Sequence, residues 1–106
     1  MKIDYYGKTV IITQYKTNLI EFYKKFLVLY ERFKSEDLII HLTDSSLGSL
    51  ECFSDLVSKH IIAKHCFVVV SIELNQEDFE NFIIIPTLHE AHDFIEMELM
   101  QRELGL

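Results

Sequence analysis

Four consecutive apolar residues, Phe82-Ile83-Ile84-Ile85, run directly into Pro86-Thr87-Leu88-His89-Glu90. An apolar run without alternation predicts a strand buried on both faces, as inside a parallel sheet. Pro86 ends the ladder because it has no N–H to give. Thr87, with Glu90 three residues later, is a capping box that opens a helix. A buried strand feeding a capped helix is the repeating unit of α/β proteins. With 106 residues there is room for one such domain, spanning residues 1–106, around one core.

The rest of the chain supplies supports for that unit. Ile3–Tyr6 and Thr9–Tyr15 are rich in β-branched and aromatic residues and flank Gly7-Lys8, which predicts a hairpin. Asn18 and Glu21 form a second capping signature. Behind them Leu19, Phe22, Tyr23, Phe26, Tyr30 and Phe33 recur at three and four, a helical stripe that packs on a sheet. Leu38–Leu42 is the next short apolar strand, and Asp44–Ser49 is a loop whose polar residues can cap the helix after it. That helix keeps Leu50, Phe53, Val57 and Ile61 on one side and runs to about Lys64. Cys66–Ile72, with Phe67-Val68-Val69-Val70, predicts a central strand, and Asn75–Glu80 a single helical turn. The order is β-β-α-β-α-β-turn-β-α. Strands joined through helices are parallel neighbours with right-handed crossovers. The expected fold is α/β: a single-layer mixed, mainly parallel sheet of about five strands, an N-terminal hairpin and three to four helices.

Net charge is −7, unevenly distributed. Nine acids (Glu73, Glu77, Asp78, Glu80, Glu90, Asp93, Glu96, Glu98, Glu103) face Arg102 alone in the last third, while residues 1–72 carry eight acids and nine bases. An acidic third repels phosphate backbones, so no nucleic-acid partner is expected there, and a partner with a basic face suits it. Met1–Gly7 has no apolar signal-peptide core and no run approaches about 18 apolar residues, so a cytoplasmic protein without a membrane span is expected. Cys52 and Cys66 lack metal-knuckle spacing and read as free thiols of a reducing compartment.

The element order resembles the STAS domain, the fold of bacterial anti-sigma-factor antagonists. Ile84-Ile85-Pro86-Thr87-Leu88-His89-Glu90-Ala91 is similar to the last strand and helix of that family. Asp44-Ser45-Ser46-Leu47-Gly48 is similar to its D-S-S-G-L-G switch with one glycine missing. The resemblance implies a non-catalytic regulatory or protein-interaction domain whose switch serine is phosphorylated by a partner kinase, releasing a bound regulator. Carried over, the acceptor is Ser45 or Ser46, expected at the N-terminus of the second helix, where a phosphate meets free N–H groups. Asp-Ser-Ser before a helix is also ordinary capping chemistry.

The histidines offer an enzyme alternative. His89, Asp93 and Glu96 share one side of the last helix, and His with carboxylates at i, i+4 can bind a metal. A catalytic zinc takes more than one His, and neither H-E-x-x-H nor H-x-H-x-D-H is present. The ending also resembles small bacterial proteins sometimes labelled ribonuclease Z, but the histidine-rich two-metal motif of that nuclease is absent. With no G-x-S-x-G, P-loop or G-x-G-x-x-G, no catalytic residue and no cofactor is expected. His41 reads as a hydrogen-bonded core histidine; His60 and His65 read as cations near a helix C-terminus.

The last helix carries two apolar stripes. Leu88, Ala91, Ile95 and Leu99 face the sheet, while Met97, Met100 and Leu104 recur at three and four on a different side. One helix on one sheet face has no internal use for the second stripe. It is expected to contact another molecule, most simply a second copy across a two-fold axis.

Overall fold

A computed structural model describes residues 1–46 and 48–105. The elements come in the expected order: β1 (Lys2–Tyr6), β2 (Thr9–Thr13), α1 (Leu19–Phe33) and β3 (Asp37–His41); a 3-10 turn (Leu50–Phe53) running into α2 (Ser54–Ile62), then β4 (Phe67–Val70); and a 3-10 turn (Gln76–Asp78), β5 (Ile83–Ile85) and α3 (Leu88–Glu103). Gly7, with φ +61°, occupies the first central position of the β1–β2 turn, where a Cβ would be strained. Asn18 and Thr87 are the N-caps predicted: the Glu21 N–H donates to Asn18 Oδ1 at 2.9 Å and the Glu90 N–H to Thr87 Oγ1 at 3.2 Å. The return bond of a capping box, from the Thr87 N–H to the Glu90 carboxylate, does not form.

The five strands form one sheet in sequence order, with β1 antiparallel to β2 and the rest parallel. The apolar run at Ile83–Ile85 is therefore an edge strand and not an interior one: Ile84 is buried, but Ile83 and Ile85 only half-buried. Of the interior strands β2, β3 and β4, the last two are buried on both faces, at Leu38–Ile40 and Phe67–Val70. Three parallel crossovers all advance the same way along the sheet, and right-handedness puts them all on one face. On that face Phe22, Phe26, Phe53, Val57 and Phe82 pack against Val10, Ile12, Leu38, Ile40, Phe67, Val69 and Ile84. The opposite face is left to α3, whose Ala91 and Ile95 cover Ile39, Val68 and Val70.

Two buried polar groups fasten the helices. His60 is 1% exposed; its Nε2–H donates to the Glu36 carbonyl at 2.6 Å and its Nδ1 accepts from the Tyr30 hydroxyl at 2.8 Å. A carbonyl can only accept, so Nε2 carries a proton, and in the neutral ring Nδ1 is then the acceptor. Burial disfavours the charged imidazole and lowers its pKa from the ordinary 6.5, so His60 is a neutral core residue and not the helix-terminal cation expected from sequence. Asp37, 3% exposed, accepts from Arg102 Nη2 at 3.1 and 3.0 Å and from the Cys66 N–H at 2.8 Å, while Arg102 Nη1 donates to the Lys64 carbonyl at 3.1 Å. The lone base of the acidic third thereby pins the last turn of α3 to the amino end of the sheet. Cys66 beside it is pushed up to about 11, first by burial and then by Asp37, so its thiol stays protonated.

Val69 and Ile84 are paired across β4 and β5, at 0% and 8% exposure. Truncating either to Ala should cost on the order of 1–4 kcal/mol, cavity included, in denaturant unfolding; an unchanged midpoint for both would contradict this core. The His60 shift also sets a pH dependence. Its folded pKa lies below the unfolded one, so its contribution is fully present above pH 6.5 and declines as pH falls below it. Melting temperature should therefore begin to drop before the carboxylates titrate. His60→Gln should be less stable at neutral pH yet show a shallower slope. His41, whose pKa burial also lowers, contributes to the slope that remains.

Candidate functional site

The carboxyl ends of β2, β3, β4 and β5 lie at one end of the sheet, and the loop that leaves β3 carries Asp44, Ser45 and Ser46. Gln14 organises this end. It has the parity of Val10 and Ile12, so it turns inward, and it is 1% exposed. Its Nε2 donates to the carbonyls of Thr17 and Asp44, both at 2.7 Å. Its Oε1 accepts from the N–H groups of Thr43 and Asp44, both at 2.9 Å. The main chain joins in: the Gln14 N–H donates to the His41 carbonyl at 2.9 Å, and Thr43 Oγ1 donates to the Gln14 carbonyl at 3.2 Å. One side-chain amide thus uses both donors and both acceptor positions to continue the sheet past its last strand pair.

The loop beyond it is fixed from two more directions. The Ser46 N–H donates to Asp44 Oδ1 at 2.8 Å, and the Ser46 hydroxyl and N–H together lower the Asp44 pKa. The Ser46 carbonyl accepts from the Leu19 N–H at 3.2 Å, giving the first turn of α1 one of its missing partners. Gly48 sits so close to α1 that a Cβ would lie 3.0 Å from the Ile20 side chain and 3.1 Å from its backbone nitrogen. Leu47 lies outside the described residues.

Ser45 is the residue that reaches outward from this frame. Its Oγ donates to Glu73 Oε2 at 2.8 Å, bridging the loops after β3 and β4. Glu73 is held in turn: Ser71, 3% exposed, accepts from the N–H groups of Glu73 and Leu74 at 3.1 and 3.3 Å through Oγ. Ile72 between them is 87% exposed. Beside this bridge is a cleft of about 240 Å3 lined by His41, Thr43, Val70, Ser71, Glu73 and Pro86, among others. His41 is half-exposed on its wall, not in the core as its strand position suggested; partial burial lowers its pKa.

The predicted site residues therefore divide. Asp44, Ser45 and Ser46 share one loop, but they do not stand at a helix N-terminus: Ser49 takes that role, with the Glu51 N–H donating to its Oγ at 3.2 Å. His89 and Asp93 approach to 3.6 Å on α3, with side chains 88% and 62% exposed. Among the described residues no three His, Cys, Asp or Glu side chains gather as a metal site. Met97, Met100 and Leu104 are exposed, at 62%, 61% and 71%, with Glu96 and Glu103 on their flank. Gln14 and Glu73 were not anticipated. The inward parity of Gln14 after Val10 and Ile12 was a usable signal; Glu73 gave none, because its role depends on two loops meeting.

Comparison with protein-family models, curated proteins and solved structures yields no match. No helix is long and apolar enough to cross a membrane among the described residues.

Gln14→Met keeps the length of the side chain and removes all four of its bonds. The exposed loop groups would partly recover through water, so the expected loss is about 2–4 kcal/mol. Amide exchange at Thr43 and Asp44 should accelerate with it. Wild-type stability and exchange in this variant would show that the amide does not hold the loop.

Proposed function

We propose that this chain is a non-catalytic, STAS-like regulatory domain that binds a protein partner through the carboxyl end of its sheet, with Ser45 as its switch. The observation that carries the reading is the Ser45 Oγ–Glu73 Oε2 hydrogen bond at 2.8 Å, on a loop otherwise held rigid by Gln14 and next to the exposed Ile72. Loops fixed on a rigid scaffold are where recognition concentrates. Ser45 is a better acceptor candidate than Ser46 because its hydroxyl, and not its backbone, makes the inter-loop contact. A phosphoryl group on Ser45 removes the donated proton and sets a charge of about −1.5 to −2 against the Glu73 carboxylate. Attraction becomes repulsion, and the Ile72–Glu73 turn separates from the Asp44–Ser46 loop. This mechanism needs no helix N-terminus to receive the phosphate; it works by expelling Glu73. The exposed Met97, Met100 and Leu104, with their acidic flank, give the same domain a second surface, suited to a partner with a basic face.

Ser45→Asp mimics the charge, Ser45→Ala removes only the hydrogen bond, and Ile72→Asp spoils the apolar tip. Quantitative affinity capture from the source cell should lose one common protein with Ser45→Asp and with Ile72→Asp but retain it with Ser45→Ala. Chemical-shift changes in Ser45→Asp should stay within residues 43–46 and 71–74. Identical capture by all four proteins would refute the reading.

A further inference from the structure

The sheet has two edges, and the chain treats them differently. At β5 the edge is closed by a side chain. Gln76 Oε1 accepts from the Ile84 N–H at 2.8 Å, and its Nε2 donates to the carbonyls of Phe82 and Phe79 at 2.7 and 2.9 Å. The amide occupies the place of a sixth strand, one of the ways a native edge is protected from further pairing. At β1 no side chain among the described residues bonds to the outer backbone, and four of its five residues are exposed.

Its hydrogen-bonding phase follows from the hairpin. Across the two-residue turn at Gly7-Lys8, Tyr6 and Thr9 exchange both backbone bonds, so Tyr6, Asp4 and Lys2 point their N–H and C=O groups toward β2. Ile3 and Tyr5 point theirs outward, unpaired. Tyr6 packs on His92 of α3 with ring centroids 4.7 Å apart, which places Lys2 and Asp4, of the same parity, on the α3 side of the sheet. There the two are neighbours of opposite charge, with Lys2 Nζ 3.9 Å from Asp4 Oδ2 and side chains 71% and 50% exposed.

We propose that β1 pairs antiparallel with β1 of a second copy, with the two-fold axis at Ile3, to join two sheets into one. In this register Ile3 and its symmetry mate exchange both backbone bonds. Lys2 then faces Asp4 of the second copy at the non-hydrogen-bonded position, where side chains are closest. The neighbouring registers of the same phase set Asp4 against Asp4 or Lys2 against Lys2 and are repelled. The same charges that would guard this edge against unlike strands make it complementary to itself. The α3 stripe is a poorer self-contact, because each copy brings the acidic Glu96 and Glu103 flank to it. Nothing in this pairing depends on the Ser45 switch.

The test is a charge exchange on the full chain. Wild type should show concentration-dependent dimerisation by sedimentation velocity, and the Ile3 and Tyr5 amides should gain exchange protection as concentration rises. Lys2→Glu and Asp4→Lys each set like charges opposite twice per dimer, so each alone should dimerise at least tenfold more weakly, by roughly the worth of such cross-strand pairs. Mixed one to one, the two variants complement each other. The acid introduced in one faces the base introduced in the other, the remaining Asp4 faces the remaining Lys2, and dimers should return. Replacing Met97, Met100 and Leu104 by Glu, Lys and Gln should leave dimerisation unchanged. A wild type monomeric at all concentrations, a mixture no more associated than either variant, or dimers lost in the α3 variant would each overturn the proposal.

Discussion

Each parallel connection in this sheet advances by one strand in the same direction, and right-handed crossovers that advance together lie together on one face. That constraint divides the molecule. The aromatic side chains of α1, of the 3-10 turn before α2 and of the segment leading into β5 fill one face, where Phe22, Phe26, Phe53 and Phe67 of β4 have ring centroids 5.6 to 6.4 Å apart. The other face is covered by α3, whose Ala91 and Ile95 lie on Ile39, Val68 and Val70. The helix is fixed at both ends: by the Thr87 cap where it leaves the carboxyl end of the sheet, and by the Arg102–Asp37 pair at the amino end. A buried carboxylate with no partner would be costly, so Asp37 has a strong preference for the one position of α3 that delivers the guanidinium.

Where strands run out, side-chain amides take over the role of backbone. Gln14 extends the β2–β3 end and Gln76 seals the outer side of β5; each presents, like a peptide group, a carbonyl oxygen and an amide nitrogen, the latter with a second N–H. The physical need is common to both: a sheet end that turns into a loop, or an edge without a neighbour, leaves polar backbone groups that must find partners. The consequences differ. At the carboxyl end the amide makes a loop rigid enough to present Ser45 and its bond to Glu73. At β5 it closes an edge, which leaves β1 as the side where the hydrogen-bonding groups of the sheet remain available.

Much of this fold was legible in the order of residues. Alternation and apolar runs placed the strands, Asn18 and Thr87 announced their helices, and Gly7-Lys8 set the hairpin. These are local effects: a cap, a turn or a periodic stripe is decided within a few residues. The rank of a strand within the sheet is not local. Ile83–Ile85 has the composition of an interior strand, yet it pairs with β4 alone, and the Gln76 amide meets its outer side in place of a further strand. Position along the sheet depends on what else exists to pair with, and a stretch of four residues carries no record of that.

The polar residues divide in the same way. By itself the sequence determined that Asp44, Ser45 and Ser46 occupy a loop after a buried strand, and that Met97, Met100 and Leu104 lie on a different side of α3 from its core stripe. Tertiary structure alone decided that His60 is neutral, that His41 is on a cleft wall, that Ser49 and not Ser45 or Ser46 caps the next helix, and that Ser45 meets Glu73 28 residues away. Charge state and hydrogen-bond partners follow from which groups are brought within about 3 Å and how far water is excluded. Those distances are set by the packing of whole elements, long after the spacing of residues along the chain has ceased to matter.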